Sequence, residues 1–177
     1  MEGREQAQFG VAAKPRAWLD WEACQRARLA AETALAEAMR DKSDANTTLE
    51  LTRDVCLLTV LTGLPPDRVR VNRELKLGDT LKRSEDGGYS LDLSQPGLHK
   101  TSSVFGPTCE RLPKRVATAI SALVVADCLT AGDYLFHAGD TSVALDPTTF
   151  GRRVKAAFKT YGGMPMCPKD VRASHIT

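Results

Sequence analysis

Two basic side chains near the end of the sequence have the types and the spacing of an anion-binding pair. Lys169 and Arg172 lie three positions apart in residues 168–177, so they share one face if that stretch is helical. Pro168 at a first helical position and Asp170 in the first turn are typical of a helix start. An arginine fork can hold two phosphate oxygens while a lysine supplies a point charge or a proton. The pair therefore indicates phosphate binding or, more plainly, a solvated basic face.

A second basic segment follows a stretch with little polar character. The apolar positions of residues 49–61 predict a buried central helix that ends at Gly63. The prolines at 65 and 66 then restart the chain at a helix start that carries Arg68. Because three arginines stand close together in residues 68–73, Arg70 is the alternative to Arg68 as the functional side chain.

A third segment has the pattern of a small antiparallel sheet. Residues 80–93 alternate in polarity around an Asp-Gly-Gly turn at 86–88, which predicts a half-buried hairpin, and a third strand is expected over 108–112. The turn between the second and third strands, at 96–103, would project Lys100 off the edge of the sheet. Lys100 is otherwise an ordinary loop lysine.

In chain order, with Arg68 first, Lys100 second and the Lys169/Arg172 pair last, the three segments resemble the catalytic domain of the tyrosine recombinases, the phage-integrase family. In that family a first catalytic arginine follows a buried helix ending in a Thr-Gly turn, like the one at 62–63 here. A lysine lies in a β-hairpin, and a His/Lys-x-x-Arg segment then opens a late helix that runs to a threonine, like the stretch from Lys169 to Thr177. The resemblance covers about residues 18–177. The variants present here are closer to the divergent recombinases of eukaryotic mobile elements, which implies a nuclear protein.

The resemblance implies a role for each basic residue. Arg68 and Arg172 would hold the phosphate of the DNA backbone, Lys100 would be the general acid, and Lys169 would take a place where the family more often has histidine. It implies double-stranded DNA as the partner, a homo-oligomer on the DNA, and no cofactor or metal. The activity implied for an intact relative is DNA strand cleavage and rejoining.

The tyrosines do not fit the family's nucleophile. That nucleophile lies beyond the second arginine, whereas all three tyrosines here precede Arg172: Tyr89, Tyr134 and Tyr161. We therefore expect a domain that lacks the last helices of the family and that does not cleave DNA alone. The alternatives are a catalytically dead remnant acting as a DNA-binding or protein-interaction module, and a plain helical domain without a nucleic-acid role. The net charge of +2 favours the last of these.

The remaining elements are predicted to be helical. Asp20 is the expected N-cap of a helix to Arg40, with its inner stripe at Cys24, Arg28, Ala31, Leu35 and Met39, and a polar connection follows at 42–47. Pro113 opens another helix. A third helix follows Asp146 and Pro147, and its basic side chains share one face that we assign to DNA phosphates: Arg152, Lys155 and Lys159.

Length and composition indicate one globular domain. The 177 residues are 42% hydrophobic and 26% charged, and we divide them into a flexible lead-in at 1–16 and an integrase-like domain at 17–177. The polar start and the lack of a long apolar run favour an intracellular protein without a membrane partner. The five widely spaced cysteines suit buried reduced thiols. The fold class is therefore mainly α with a small antiparallel β-sheet (α+β), similar to a tyrosine recombinase catalytic domain.

Overall fold

The computed structural model describes residues 19–64, 69–94 and 109–175. Its elements are α1 (Trp21–Arg40), α2 (Ala45–Gly63), α3 (Val69–Arg73), β1 (Leu81–Arg83), β2 (Tyr89–Asp92), β3 (Cys109–Arg111), α4 (Lys114–Ala126), α5 (Pro147–Gly162) and α6 (Pro168–Ser174). The predicted fold class is confirmed. The expected lead-in at 1–16, Arg68 and the turn that carries Lys100 lie outside the described residues. Among the helices that are described, none is long and apolar enough to cross a membrane.

Helix α2 is the centre of the hydrophobic core. Its side chains from Val55 to Leu61 are buried, because the sequence leaves this part of the helix no polar face. Helix α1 packs along one side and α4 along another, with α5 also in contact. The prediction of a buried central helix ending at Gly63 is confirmed.

Helices α1 and α4 both run antiparallel to α2. Gln25 near the start of α1 donates from Nε2 to the carbonyl oxygen of Thr62 at 2.8 Å. The start of α4 also lies against the end of α2, since a Cβ placed on Gly63 would lie 2.7 Å from Val116 Cγ2. At the other end of the bundle, Arg53 of α2 bonds Asp127, the C-cap residue of α4, at 2.7 and 2.8 Å. The starts of α1 and α4 therefore lie together at the end of α2.

The sheet has the strand order β1-β2-β3, and both strand pairs are antiparallel. The register pairs Leu81 with Leu91 and Ser90 with Arg111. At the β1–β2 turn, Gly87 has a φ of 80°, a left-handed conformation that glycine adopts without a steric penalty. The predicted hairpin and third strand are confirmed, and the sheet leads directly into α4.

The cysteine prediction is wrong in part. All five thiols are free, but only Cys24 and Cys56 are buried, whereas Cys109 and Cys128 are exposed and Cys167 is half-buried. Cys109 lies on β3, whose three residues are all exposed, and Cys128 follows the end of α4 with a φ of 53°. A cysteine count does not distinguish core positions from strand edges and helix ends.

A pair of glycines on α5 gives a test of how α5 packs on α1. A Cβ on Gly162 would lie 2.9 Å from Leu19 Cδ1 and 3.2 Å from Ala27 Cβ, whereas one on Gly151 would meet nothing within 4 Å. We expect Gly162→Ala to lower the free energy of unfolding by about 1–3 kcal/mol, because the Leu19 side chain must turn away and α1 must shift slightly from α5 at Ala27. Gly151→Ala should raise it by about 0.5–1 kcal/mol through helix propensity. Urea denaturation measures both, and equal effects would contradict the close packing of α1 and α5.

Candidate phosphate-binding surface

The short helix α6 presents two cations on one side and buries the other. Pro168 occupies its first position, and the Asp170 carboxylate accepts a hydrogen bond from the Cys167 backbone N–H at 2.9 Å. Val171 is buried, whereas Lys169 is exposed and Arg172 is half-buried. The helix and the shared face of this pair were predicted from the sequence, while the role of the pair in phosphate binding stays a prediction.

Contacts with the start of α1 hold α6 in place. The hydroxyl of Ser174 lies 3.6 Å from Cys24 Sγ, and the His175 ring packs edge-on against Trp21 with centroids 4.5 Å apart. Cys24 also donates its S–H to Met166 Sδ at 3.8 Å. Burial raises the pKa of the Cys24 thiol, so this side chain stays neutral and acts as a packing group. The position of Lys169 and Arg172 is therefore fixed through α1.

Lys169 and Arg172 have no ionic partner in residues 19–64, 69–94 and 109–175. Neither side chain forms a hydrogen bond or an ion pair with another of these residues. Other arginines are held by acceptors, as where Arg73 donates to the carbonyl oxygen of Leu145 at 2.7 Å. Since a half-buried cation without a counterion gains most from an anionic ligand, the α6 pair is suited to binding a phosphate.

Helix α5 carries a second cationic face. Its N-cap is Asp146, which accepts from the backbone N–H groups of Thr148 and Thr149 at 2.9 and 3.0 Å. The inward side is apolar, and the outward side has three exposed cations that form no ion pair with any carboxylate in the described part of the chain: Arg152, Lys155 and Lys159. The N-cap and the amphipathic pattern are confirmed. The assignment of these cations to DNA stays a prediction.

The neighbouring arginine, Arg153, has a structural role. It donates from Nη2 to Glu50 at 2.9 Å, and Glu50 also accepts from Arg53 at 2.6 Å. Arg53 makes the two-pronged bond to Asp127, and His137 Nε2 lies 3.1 Å from the same carboxylate. This chain of ion pairs, which we call the α2 network, joins α5 and α4 to the first half of α2. It fixes the orientation from which α5 presents its basic face.

Tyr161 lies beside the α2 network and is not arranged as a nucleophile. Its hydroxyl donates to the Asp54 carboxylate at 3.3 Å. Burial and the nearby Asp54 charge raise the pKa of Tyr161 to about 12, and burial also raises the pKa of Asp54. A phenol with a raised pKa keeps its proton at neutral pH, which is the reverse of what an attacking oxygen needs.

The other two tyrosines are also engaged in the fold. Tyr89 on β2 is buried, and Tyr134 pairs with Lys76 in an isolated bridge, with the Lys76 ammonium 5.1 Å from its ring centre. Tyr89 falls within the hairpin predicted over residues 80–93, and its place on β2 agrees with that prediction.

Of the predicted catalytic residues, the structure describes only Lys169 and Arg172. Arg68 and Lys100 lie outside the described residues, so their convergence with Arg172 stays a prediction. Arg70, the alternative to Arg68, is exposed on α3 and donates to Glu74 at 2.8 Å. This bond to Glu74 raises the pKa of Arg70. Because Arg70 already has a carboxylate partner, the structure gives it less freedom to bind a phosphate than Arg172 has.

Comparison with solved structures identifies the fold. The chain superimposes on the crystal structure of XerA recombinase with a TM-score of 0.55 and 17% sequence identity, covering 89% of this chain and 48% of the XerA chain. It thus has a tyrosine-recombinase-like fold and spans about half the length of that protein. No protein-family model matches the sequence. No curated protein matches it either.

Proposed function

We propose that this tyrosine-recombinase-like domain binds double-stranded DNA through the phosphate backbone. The observation that carries the proposal is the set of outward cations on α5 and α6 that have no carboxylate partner in the described residues. Neutralising DNA phosphates releases counterions, so such cations supply most of non-specific affinity. Although the chain carries a net charge of only +2, cations placed on one face still produce a local field.

The sequence pattern extends the proposal to the chemistry of strand exchange. Arg172 and Arg68 would hold the non-bridging phosphate oxygens, with Lys169 beside Arg172, since charge on these oxygens is greatest in the transition state. Lys100 would give a proton to the leaving 5′ oxygen. The chain binds DNA without forming a phosphotyrosyl link, because the Tyr161 hydroxyl is bonded to Asp54, Tyr89 is buried and the Tyr134 ring lies against Lys76. We place the protein in the nucleus, derived from a mobile element and assembled as a homo-oligomer on DNA.

A protein-interaction module is the second candidate function. An apolar groove of about 480 Å³ lies between α1 and α4, with Leu35, Val55, Ala119 and Ala122 in its lining. Val125, on α4, is 78% exposed. Apolar surface of this kind is typical of protein contacts. Salt dependence separates the two candidates, because apolar docking does not weaken steeply as salt rises whereas phosphate binding does.

Fluorescence anisotropy of a labelled duplex across a salt series tests DNA binding. We expect Lys169→Gln/Arg172→Gln to make the slope of log K against log salt shallower by about 1.8, since each phosphate contact contributes about 0.9. The matched control is Arg40→Gln/Lys42→Gln, which removes the same charge from exposed positions at the end of α1.

Two outcomes would contradict the proposal. The first is a wild-type chain that does not bind DNA, and the second is an α6 variant whose slope equals that of the control. Thermal unfolding of both variants must show that the fold is kept, because Arg172 is half-buried.

A further inference from the structure

The start of α4 carries two more cations that have no assigned role. Lys114 and Arg115 are both exposed, and neither forms an ion pair with a carboxylate in the described ranges. They precede the apolar stripe of α4, which faces α2 through Val116 and Ile120. Both side chains are therefore available to an anionic ligand.

Arg115 lies at the end of α2. A Cβ placed on Gly63 would lie 3.7 Å from Arg115 Nη2, so the guanidinium group lies close to the last turn of α2. The backbone carbonyl of Thr62, in the same turn, accepts the Gln25 side chain from α1 at 2.8 Å. The start of α4 and the start of α1 therefore meet the same turn of α2.

The start of α1 is also where α6 is attached. Cys24, next to Gln25 in the chain, lies 3.6 Å from the Ser174 hydroxyl of α6. A continuous series of contacts thus leads from Arg115 across the end of α2 and the start of α1 to the helix that carries Arg172. We call the surface formed by these four helix ends the cationic end of the bundle.

The distribution of charge differs between the two ends. At the cationic end, the three carboxylates of Asp20, Glu22 and Asp170 are outnumbered by five basic side chains: Lys114, Arg115, Lys169, Arg172 and Arg26. One of these carboxylates, Glu22, is paired with Arg26 at 3.7 Å. At the opposite end, where α1 leads into α2, exposed carboxylates outnumber exposed cations: Glu37, Asp41 and Asp44 against Arg40 and Lys42. A polyanion is therefore attracted to the first end rather than to the second.

We propose that Lys114 and Arg115 form a second group of phosphate contacts, so that one DNA duplex lies across the cationic end from α6 to α4. The proposal rests on the DNA-binding function proposed above. Because α4 and α6 both contact α2 directly, and neighbouring helices are about 8–10 Å apart, the α4 and α6 pairs are separated by at most about 16–20 Å. At about 3.4 Å per base pair, roughly six base pairs of one duplex span that distance.

The test combines a salt series with a stoichiometric titration of labelled duplex. We expect Lys114→Gln/Arg115→Gln to make the salt slope shallower by about 1.8, as expected for the α6 pair, while Arg40→Gln/Lys42→Gln leaves it unchanged. The variant combining both cationic-end pairs should lose about 3.6 from the slope. Wild type should bind no more than one duplex per chain.

The outcomes distinguish this inference from the proposed function. If the α6 variant has a reduced slope but the α4 variant matches the control, the second group of contacts does not exist and DNA binding stands. Two duplexes per chain would overturn the single path across the bundle. If wild type does not bind DNA at all, both proposals fail.

Discussion

Replacing Arg53 by alanine is expected to lower the free energy of unfolding by about 3 kcal/mol. Arg53 is the centre of the α2 network, where it donates two bonds to Asp127 and one to Glu50. The Asp127 side chain is only 10% exposed, so removing Arg53 leaves a desolvated carboxylate whose remaining side-chain contact is with His137 Nε2 at 3.1 Å. Arg53 itself keeps 21% exposure, which puts the effect at the lower end of the range for broken buried pairs. Urea denaturation with a fixed m-value measures the change.

Arg26→Ala is the matched control for the Arg53 variant. Arg26 also pairs with a glutamate on its own helix, but it is 66% exposed and its partner Glu22 is 87% exposed. Such surface pairs contribute about 0–1 kcal/mol, so Arg26→Ala should change stability little. If the two variants have equal stability, the α2 network is not closed in solution and does not determine the position of α5.

The largest expected effect on binding is that of the basic face of α5. We expect Arg152→Gln/Lys155→Gln/Lys159→Gln to weaken duplex binding on the order of 10²-fold near 0.1–0.2 M salt, and to make the salt slope shallower by about 2.7. The physical reason is the loss of three counterion-releasing contacts. Stability should change little, because all three side chains are exposed and none is in an ion pair with the described residues. Anisotropy titrations at four or more salt concentrations measure affinity and slope together.

Two controls accompany the α5 variant. The variant Arg40→Gln/Lys42→Gln removes two exposed charges from the end of α1 and the turn after it, away from the cationic end, and it should keep the wild-type slope. Arg153→Gln removes the neighbouring arginine that is paired with Glu50, so it should lower stability and leave the slope unchanged. A slope that depends only on total charge, and not on position, would contradict the assignment of α5.

Structural features that depend on residues within one helical turn of each other were predicted well from the sequence. Asp20 and Asp146 are the caps of α1 and α5, because a carboxylate there bonds backbone N–H groups two or three residues ahead. The same rule explains an error at α2. The predicted polar connection at 42–47 is too long, since Asp44 accepts from the N–H groups of Asn46 and Thr47 and starts the helix at Ala45.

The stripe predicted along α1 fails at its far end. Met39 is 64% exposed and Ala38 is buried in its place. At 100° per residue, Met39 lies about 60° around the helix from Cys24, on the side away from Ala27 and Ala31. Arg28 was placed correctly on the stripe, and it is buried because Glu32 and Gln25 accept its N–H groups.

The candidate site was predictable only where its residues are neighbours in sequence. Lys169 and Arg172 lie one helical turn apart, and so do the cations of α5, so helical periodicity alone places them on shared faces. The contact between Glu50 and Arg153 joins positions 103 apart, and that between Arg53 and Asp127 joins positions 74 apart. Such pairings depend on how the helices pack against one another. The spacing of residues within one sequence does not reveal that packing. The convergence of Arg68 and Lys100 with Arg172 stays a prediction.

The attachment of α6 to α1 has a consequence for the order of folding. The contact between Cys24 and Ser174 joins residues 150 apart, whereas α1 and α2 form a hairpin through a connection of a few residues. Closing a long loop costs more entropy than closing a short one, and long-range contacts therefore form late. The helical hairpin is expected to form first and α6 to dock last. A partly folded chain then has no assembled cationic end, so tight DNA binding is reached only at the final step of folding.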